Sequence, residues 1–463
     1  MNAAVNALEL MNARIFPLIC AAALFCPSAS RAQRRPDKLV PPGLETQVKQ
    51  FFTDKTEQAR ALAKEEKQEQ APEVWEFFAA GENGDWETVA SVYRDLRRGA
   101  YQFEGGQKDK RLETMAWQPV NECYGAYDSC ANMEEKYVTK FAREILDSMP
   151  RGSIYFGGTD PGRWLPTAFS KSHAKADPCF IITQNALADG LYLKYVRTMY
   201  GDRIYMATDE DSKKAFQDYM DDAQQRLKDG KLKPGENVTD VNGKVQVSGQ
   251  VAVMAINARI AKKIFDANPR KEFFIEESFP LDWMYPHLLP HGLIMKLNRQ
   301  PLTEMPKDAV QKDGHYWKKF TDDALGKWLT AETSIEELCD FATTVFENKE
   351  TGDYESDPKF VRNANACKTY SKLRSSSAGV YAWRAKNSAS PEEKQRMMKA
   401  ADFAFRQSFA LCPYSPEAVF RYTNLLIDQG RKADALLLVE TAQRIDPRNG
   451  SVANLLTEIE KMK

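Results

Sequence analysis

The fold is decided by the stretch SIYFGGTDPGRW (residues 153–164), where a short apolar run meets a glycine-rich turn and a proline-marked helix start. A second apolar run, CFIIT (179–183), leads into the polar turn QNALAD (184–189). Apolar runs that alternate with segments of helical periodicity are typical of βαβ units. The sequence therefore predicts an α/β domain over residues 136–300, Rossmann-like, with a mainly parallel sheet.

Further elements extend this domain along the chain. Apolar runs predict strands, and charged segments with apolar residues at helical spacing predict the helices between them. The predicted strands cover residues 153–156, 179–183, 203–207, 272–276 and 293–297, and the predicted helices cover 135–149, 164–173, 189–200, 211–227 and 251–268. A glycine-containing turn predicts a β-hairpin within residues 230–249.

Helical segments flank the α/β domain on both sides. Before it, we predict a linker with an amphipathic helix over residues 33–70, then a helical hairpin and an irregular segment over 71–135. After it, the pattern is helical throughout, with a connector over 301–380 and tetratricopeptide-like repeats over 381–463.

The repeat prediction depends on spacing near the C-terminus. Pro413 and Pro447 are 34 residues apart, which is the length of one tetratricopeptide unit. This register places Gly430 in the turn between two helices, and Ala435 and Ala442 where two helices cross closely. A repeat of this kind predicts a protein partner for the C-terminal region.

Residues 1–32 have the features of a signal peptide. Arg14 precedes an uncharged run over residues 15–26, and Ser30 and Ala32 fit the positions before a signal-peptidase cut. Met11 is an alternative start, and a buried N-terminal helix is the alternative interpretation. We predict export to the periplasm or the extracellular space, a bacterial envelope location, with no integral membrane segment after cleavage.

Composition excludes several classes of protein. The 463 residues carry 64 Lys and Arg against 65 Asp and Glu, a net charge of −1, so no basic field attracts nucleic acid. The chain has no CxxC and no Cys/His cluster, and its glycine-rich turn is not a nucleotide-binding motif. We therefore predict no cofactor and no metal.

Six cysteines remain after the predicted cleavage. Cys123 and Cys130 are seven residues apart in a glycine-containing segment that could form a loop closed by a disulfide. This pair is the disulfide candidate. Free buried thiols are an equally good interpretation, because a chain of this length does not need disulfides to be stable.

Polar residues follow three of the predicted strands, where a ligand site is expected in a parallel α/β sheet. A carboxylate can bind sugar hydroxyls, and an arginine can bind an anion or hold several carboxylates together. The ligand-binding candidates are Gly158, Thr159, Asp160, Arg163, Asn185, Asp189 and Glu277. No catalytic residue is predicted, since no nucleophile and base occur in a recognisable arrangement.

The same residues have a purely structural interpretation. Asp160 before Pro161 is a good helix cap, and Asp189 also precedes a helix. Arg163 with these carboxylates could equally form a closed ion-pair network that binds no ligand. The two interpretations differ in stability, because removing one partner of a buried network is strongly destabilising.

Three motifs resemble a known family. YFGGTDPGR (155–163), ITQNALAD (182–189) and ESFPLDWMYP (277–286) are similar to the soluble region of polytopic bacterial membrane proteins that resemble protein O-mannosyltransferases, akin to transmembrane protein 260. In that family tetratricopeptide-like helices follow this region. The family's multi-span catalytic part is absent from this sequence, so no transferase residue carries over. The resemblance implies the extracytoplasmic domain of the family as a free exported protein.

These observations predict an exported, non-catalytic binding protein that handles an envelope glycan or glycoprotein and binds a protein through its C-terminal repeats. The alternative is a glycan-acting enzyme that uses the carboxylates at the strand ends as acid and base.

Overall fold

The computed structural model describes residues 39–101, 108–158, 160–170, 178–241, 244–276 and 280–462. The predicted signal peptide over residues 1–32 lies outside these residues, and so do the ligand-binding candidates Thr159 and Glu277. The described chain is mainly helical and contains one mixed β-sheet.

The helices are numbered here in chain order over the described residues. They are α1 (Pro42–Glu66), α2 (Pro72–Asn83), α3 (Trp86–Tyr101), α4 (Trp117–Asn132), α5 (Glu135–Ser148), α6 (Pro161–Ala168), α7 (Gly190–Tyr200), α8 (Asp209–Lys228), α9 (Gln250–Ala267), α10 (Lys307–Leu325), α11 (Ile335–Ala342), α12 (Pro358–Val361), α13 (Ala364–Asn387), α14 (Pro391–Leu411), α15 (Pro416–Asp428), α16 (Lys432–Ile445) and α17 (Gly450–Lys461). Among them, none combines the length and the apolar character that crossing a bilayer requires.

The strands are β1 (Ser153–Gly157), β2 (Cys179–Thr183), β3 (Asn237–Val241), β4 (Lys244–Ser248), β5 (Phe273–Ile275), β6 (Leu288–His291) and β7 (Ile294–Leu297). Five of them form one sheet in the order β2-β1-β5-β7-β6, and β3 and β4 form a separate antiparallel hairpin. The mixed α/β class and the predicted hairpin are confirmed.

The sheet is mixed rather than mainly parallel. β1 pairs with β5 in parallel, whereas β7 pairs antiparallel with both β5 and β6. β6 was not predicted as a strand, because Pro290 lies within it. A two-residue connection containing Gly292, at φ 63°, joins β6 to β7, and so short a connection permits only antiparallel pairing.

One predicted strand is not formed. Residues 203–207 are outside any strand, although they have the apolar composition of one. The side chain of Asn268 takes the place of a neighbouring strand: its Oδ1 accepts from Tyr205 N at 2.8 Å and its Nδ2 donates to Tyr205 O at 2.9 Å. The backbone at Tyr205 is therefore satisfied by a side chain.

The segment predicted to be irregular contains a long helix, α4. Pro119 lies in its first turn, where proline is tolerated, and Gly125 lies in its middle. A Cβ on Gly125 would come within 2.3 Å of the Trp164 ring, so glycine is required for the close approach of this ring. Packing thus outweighs the low helix propensity of glycine.

Contacts divide the chain into two compact units, each built from two separate stretches. Among the described residues, unit 1 contains those up to Tyr127 and those of 157–271, and unit 2 contains those of 128–156 and those from Glu272 onwards.

The predicted turn at Gly430 lies between two C-terminal helices of unit 2. Gly430 lies between α15 and α16 at φ 74°, a left-handed conformation that favours glycine. Ala435 and Ala442 are both buried on α16. α16 packs against α11, α15 and α17.

Replacing Ala442 with tryptophan is expected to overpack this crossing and to lower the free energy of unfolding by ~1–3 kcal/mol. Glu440→Trp on the exposed side of the same helix is the matched control and should change it by less than ~0.5 kcal/mol. Urea denaturation followed by circular dichroism measures both. Equal stability of the two variants would contradict a close crossing at Ala442.

Candidate functional site

The glycine-rich turn after β1 leads directly into α6. Asp160 caps this helix, and its Oδ1 accepts a hydrogen bond from Gly162 N at 3.0 Å. Gly158 is buried just before it. Asp160 therefore has the capping role that its position before Pro161 suggests, which satisfies one free amide of the helix start.

Arg163 points into the interior of unit 1. Its side chain is only 5% exposed, and its Nη2 lies 2.7 Å from Glu122 Oε1. The guanidinium also lies over two aromatic rings, 4.4 Å from the centre of Trp164 and 5.3 Å from that of Tyr192. This arrangement is a closed cation–π and ion-pair environment.

Glu122 is the centre of a buried charge cluster, which we define as Lys55, Glu122, Arg163 and Tyr195. The Lys55 ammonium contacts Glu122 Oε2, and the Tyr195 hydroxyl donates to the same oxygen at 3.0 Å. Lys55 Nζ also donates to Tyr195 Oη at 3.2 Å. Two cations and one carboxylate are thus held together away from water.

Burial and pairing shift the pKa values of the buried charge cluster in opposite ways. Burial alone would raise the pKa of Glu122, but the charges of Lys55 and Arg163 outweigh it and lower this pKa to about 2. Burial lowers the pKa of Lys55 despite the attraction of Glu122. Burial likewise raises the pKa of Tyr195 well above its usual value.

The turn after β2 carries the remaining candidates of unit 1. We call residues 183–189 the β2 turn. Asp189 is exposed and caps α7, accepting from Leu191 N at 2.8 Å and from Tyr192 N at 3.3 Å. Asn185 is half-buried. Both predicted carboxylates of this region, Asp160 and Asp189, are therefore helix caps.

Asn257 on α9 holds the β2 turn in place. Its Nδ2 donates to Asn185 O at 3.0 Å, and its Oδ1 accepts from Ala188 N at 2.6 Å. Val253 lies one helical turn before Asn257 on the same face and is 44% exposed. An exposed apolar side chain thus lies on the helix face that fixes the β2 turn.

Two polar residues of the β2 turn were not singled out as candidates from the sequence. Thr183 and Gln184 are fully buried, yet neither Thr183 Oγ1 nor Gln184 Oε1 has a hydrogen-bond partner within the described residues. Gln184 Nε2 donates to Asn185 Oδ1 at 3.3 Å, which leaves its carbonyl oxygen as an acceptor. A buried acceptor without a donor costs about 1–3 kcal/mol, so it marks a place where a ligand could donate. The position of Thr183 and Gln184 at the end of an apolar strand is the sequence feature that could have identified them.

The glutamates after β5 belong to unit 2. Glu276 is buried and its Oε1 lies 3.2 Å from Lys372 Nζ, while Glu277 lies outside the described residues. Glu276 is therefore half of an internal ion pair.

Other sequence motifs have structural roles. Thr208 and Asp211 form a capping box at the start of α8, which explains the acidic run DED (209–211). His287 Nδ1 lies 2.8 Å from Asn298 O, and His291 Nε2 lies 2.9 Å from Ser148 O. Within the described residues, no group of three or more His, Cys, Asp or Glu side chains could hold a metal ion.

The Cys123–Cys130 disulfide is not formed. Both thiols are free and buried, and both residues belong to α4. Seven residues of helix separate them by ~10 Å along the axis, whereas a disulfide requires Cα atoms within ~7 Å. The predicted bond fails because this segment is a helix and not a closed loop.

Comparison with known proteins gives no match: no family model, no curated protein and no solved structure is similar to this chain. The resemblance to the O-mannosyltransferase-like family stays a prediction.

Proposed function

We propose that this protein is an exported, non-catalytic binding protein whose β2 turn takes a neutral, hydroxyl-rich ligand, a glycan of the cell envelope. The observation that carries the proposal is the fully buried Gln184 side chain, whose Oε1 accepts no hydrogen bond from the described residues. A sugar hydroxyl that donates to this oxygen would remove the cost of leaving it unpaired.

The chemistry around the β2 turn favours a neutral ligand. Its polar groups are the amides of Gln184 and Asn185 and the hydroxyl of Thr183, while Asp189 already serves as a cap. Cationic Arg163 is paired inside the buried charge cluster, so it offers nothing to an anion. The exposed Val253 side chain provides an apolar surface for the C–H face of a sugar.

Binding is also better supported than glycan hydrolysis. Acid–base catalysis needs carboxylates that are free to exchange protons with the substrate. Asp160 and Asp189 accept backbone hydrogen bonds at helix starts, Glu122 is paired with buried cations, and Glu276 is paired with the half-buried Lys372. To act as acid or base in glycan hydrolysis, these carboxylates would have to give up contacts that stabilise the fold.

An array of neutral oligosaccharides, including mannosylated and galactosylated chains, tests this function, with sialylated and sulfated chains for comparison. We expect binding of the parent to neutral members and a roughly tenfold weaker affinity for Gln184→Met, with a melting temperature no lower than that of the parent, because the substitution removes a buried acceptor that lacks a donor. Gln217→Met removes an exposed amide of α8 that bonds only to Asp221 and serves as the matched control. No binding to any neutral member, or equal binding by both variants, would contradict the proposal.

We further propose that α13–α17 form a tetratricopeptide-like array. Consecutive helices pack as antiparallel neighbours, and α15 also contacts both α13 and α17, as stacked hairpins do. The inner helix α13 is covered by this chain's own residues: Tyr370 stacks on Phe320 of α10 at 4.3 Å. A protein partner would therefore bind at the outer helices, where the polar side of α17 is exposed.

Export has its own test, independent of the ligand. N-terminal sequencing of the protein from an envelope fraction is expected to begin at or near Gln33, because Ala32 fits the residue before the cut. An intact Met1 or Met11 on the protein in a cytoplasmic fraction would contradict export and, with it, the relation to the extracytoplasmic family domain.

A further inference from the structure

We propose that Cys367 and Cys412 form a facing thiol pair that is oxidised to a disulfide, linking α13 to the end of α14. The pairing does not depend on what the protein binds. Both residues are free thiols and fully buried in unit 2, with Cys367 in the first turn of α13 and Cys412 directly after the last residue of α14.

The register of the two helices brings the cysteines together. α13 and α14 are antiparallel neighbours, and Ser371 and Ser408 face each other across them. Ser371 Oγ donates to Ser408 O at 2.7 Å, Ser408 Oγ donates to Ser371 O at 2.8 Å, and the two hydroxyl oxygens are 3.2 Å apart. Moving four residues back from Ser371 and four forward from Ser408 reaches Cys367 and Cys412.

The helices approach closely because the residues between them are small. Ala378 on α13 and Ala401 and Ala404 on α14 are also small and buried, whereas the Ser375 hydroxyl donates to Glu417 O of α15 at 3.3 Å. Hydroxyl groups that reach the opposite backbone require short Cβ separations. A disulfide needs Cβ atoms ~3.5–4.5 Å apart, so the close approach of the two helices is a condition of the proposed bond.

Tyr414 is a neighbour of both thiols. It acts to lower the pKa of Cys367 and that of Cys412, against the larger effect of burial. Cys367 Sγ itself donates to Phe360 O at 3.2 Å. Cys339 lies on α11, outside this helix pair, and its Sγ donates to Leu437 O.

We expect oxidation to occur during folding, while α13 and α14 pack together and before the two thiols are buried. Burial raises the pKa of Cys412 to about 12 and raises that of Cys367 well above its usual value, so the thiols are unreactive once enclosed. The two thiols lose two protons and two electrons to form the S–S bond. A disulfide oxidant such as oxidised glutathione takes up both, and its own S–S bond breaks to give two thiols.

Refolding of the reduced, denatured chain in a glutathione redox buffer tests the pairing. After alkylation and trypsin digestion, we expect residues 363–368 linked to residues 407–421, two hydrogens lighter than the separate peptides. Cys367→Ser should abolish the link and Cys339→Ser should preserve it. The oxidised protein should melt at a higher temperature than the same protein treated with dithiothreitol.

A second measurement does not require refolding. Native protein held with oxidised glutathione in mild denaturant should lose two titratable thiols relative to the reduced chain, and Cys367→Ser should lose none. Alkylation of both cysteines in both experiments would overturn the proposal. A link from Cys412 to another cysteine, or a linked protein that melts lower than the reduced one, would also overturn it.

Discussion

Replacing Glu122 with glutamine is expected to lower the free energy of unfolding by ~3–5 kcal/mol. The substitution keeps the shape of the side chain but removes the one negative charge that Lys55 and Arg163 contact, 2.7 Å away in the case of Arg163. Two buried cations would then face each other without compensation. Urea denaturation followed by tryptophan fluorescence measures the loss.

Glu45→Gln is the matched control for this experiment. Glu45 also pairs with a lysine, Lys49, but both side chains are partly exposed, so the loss should stay below ~1 kcal/mol. A triple variant, Lys55→Met, Glu122→Leu and Arg163→Met, should recover much of the stability lost in Glu122→Gln, because it leaves no unpaired charge. Equal stability of Glu122→Gln and Glu45→Gln would contradict a structural cluster.

The pH dependence of the same variant follows from the lowered pKa of Glu122. Its pKa is about 2 in the folded state and near 4.5 in the unfolded chain, so the carboxylate stabilises the fold above about pH 4.5. This contribution is lost as the pH falls from about 4.5 towards 2. The difference in unfolding free energy between parent and Glu122→Gln should therefore shrink across that window, and a constant difference would contradict the assignment.

The second large effect is expected in unit 2, at Asp313. Its Oδ2 lies 2.7 Å from Arg374 Nη1 and accepts from the Tyr381 hydroxyl at 2.8 Å, and all three side chains are buried. Asp313→Asn would leave Arg374 charged and without a counter-ion, so we expect a loss of ~3–5 kcal/mol in unfolding free energy.

Asp308→Asn on the same helix, α10, is the control for Asp313→Asn. Asp308 pairs with Lys312, but both side chains are largely exposed, so no measurable change is expected. If both variants lose a similar amount of unfolding free energy, the loss follows from removing any carboxylate of α10, and the importance of the buried pair is contradicted.

The sequence predicted helices and strands well where apolar periodicity was strong. β2 has the predicted bounds, and α5, α7, α8 and α9 differ from the predicted helices only at their ends. The failures have a common physical cause, which is a distant residue that decides the local structure. Asn268 satisfies the backbone of Tyr205 in place of a strand, and Trp164 requires the glycine within α4.

The sequence indicated which polar residues lie near the strand ends, but it did not indicate what each of them contacts. Local sequence indicated that Asp160 and Asp189 could be caps, and both are. The partner of Arg163 is 41 residues away in a segment predicted to be irregular, so the sequence could not identify Glu122. Gln184 lies in the polar turn that the sequence indicated after β2, but it was not chosen as a candidate, because an amide after a strand has no distinctive spacing. What distinguishes Gln184 is its burial with no donor to its Oε1 among the described residues.

Hydrogen–deuterium exchange with and without a neutral oligosaccharide found by the array tests the central claim most directly. The claim is that neutral polar groups of the β2 turn bind the ligand, while the buried charge cluster maintains the fold. We expect ligand-dependent protection of amides 184–189, with amides 160–163 unchanged. Protection of residues 160–163 without any change in the β2 turn would contradict the account.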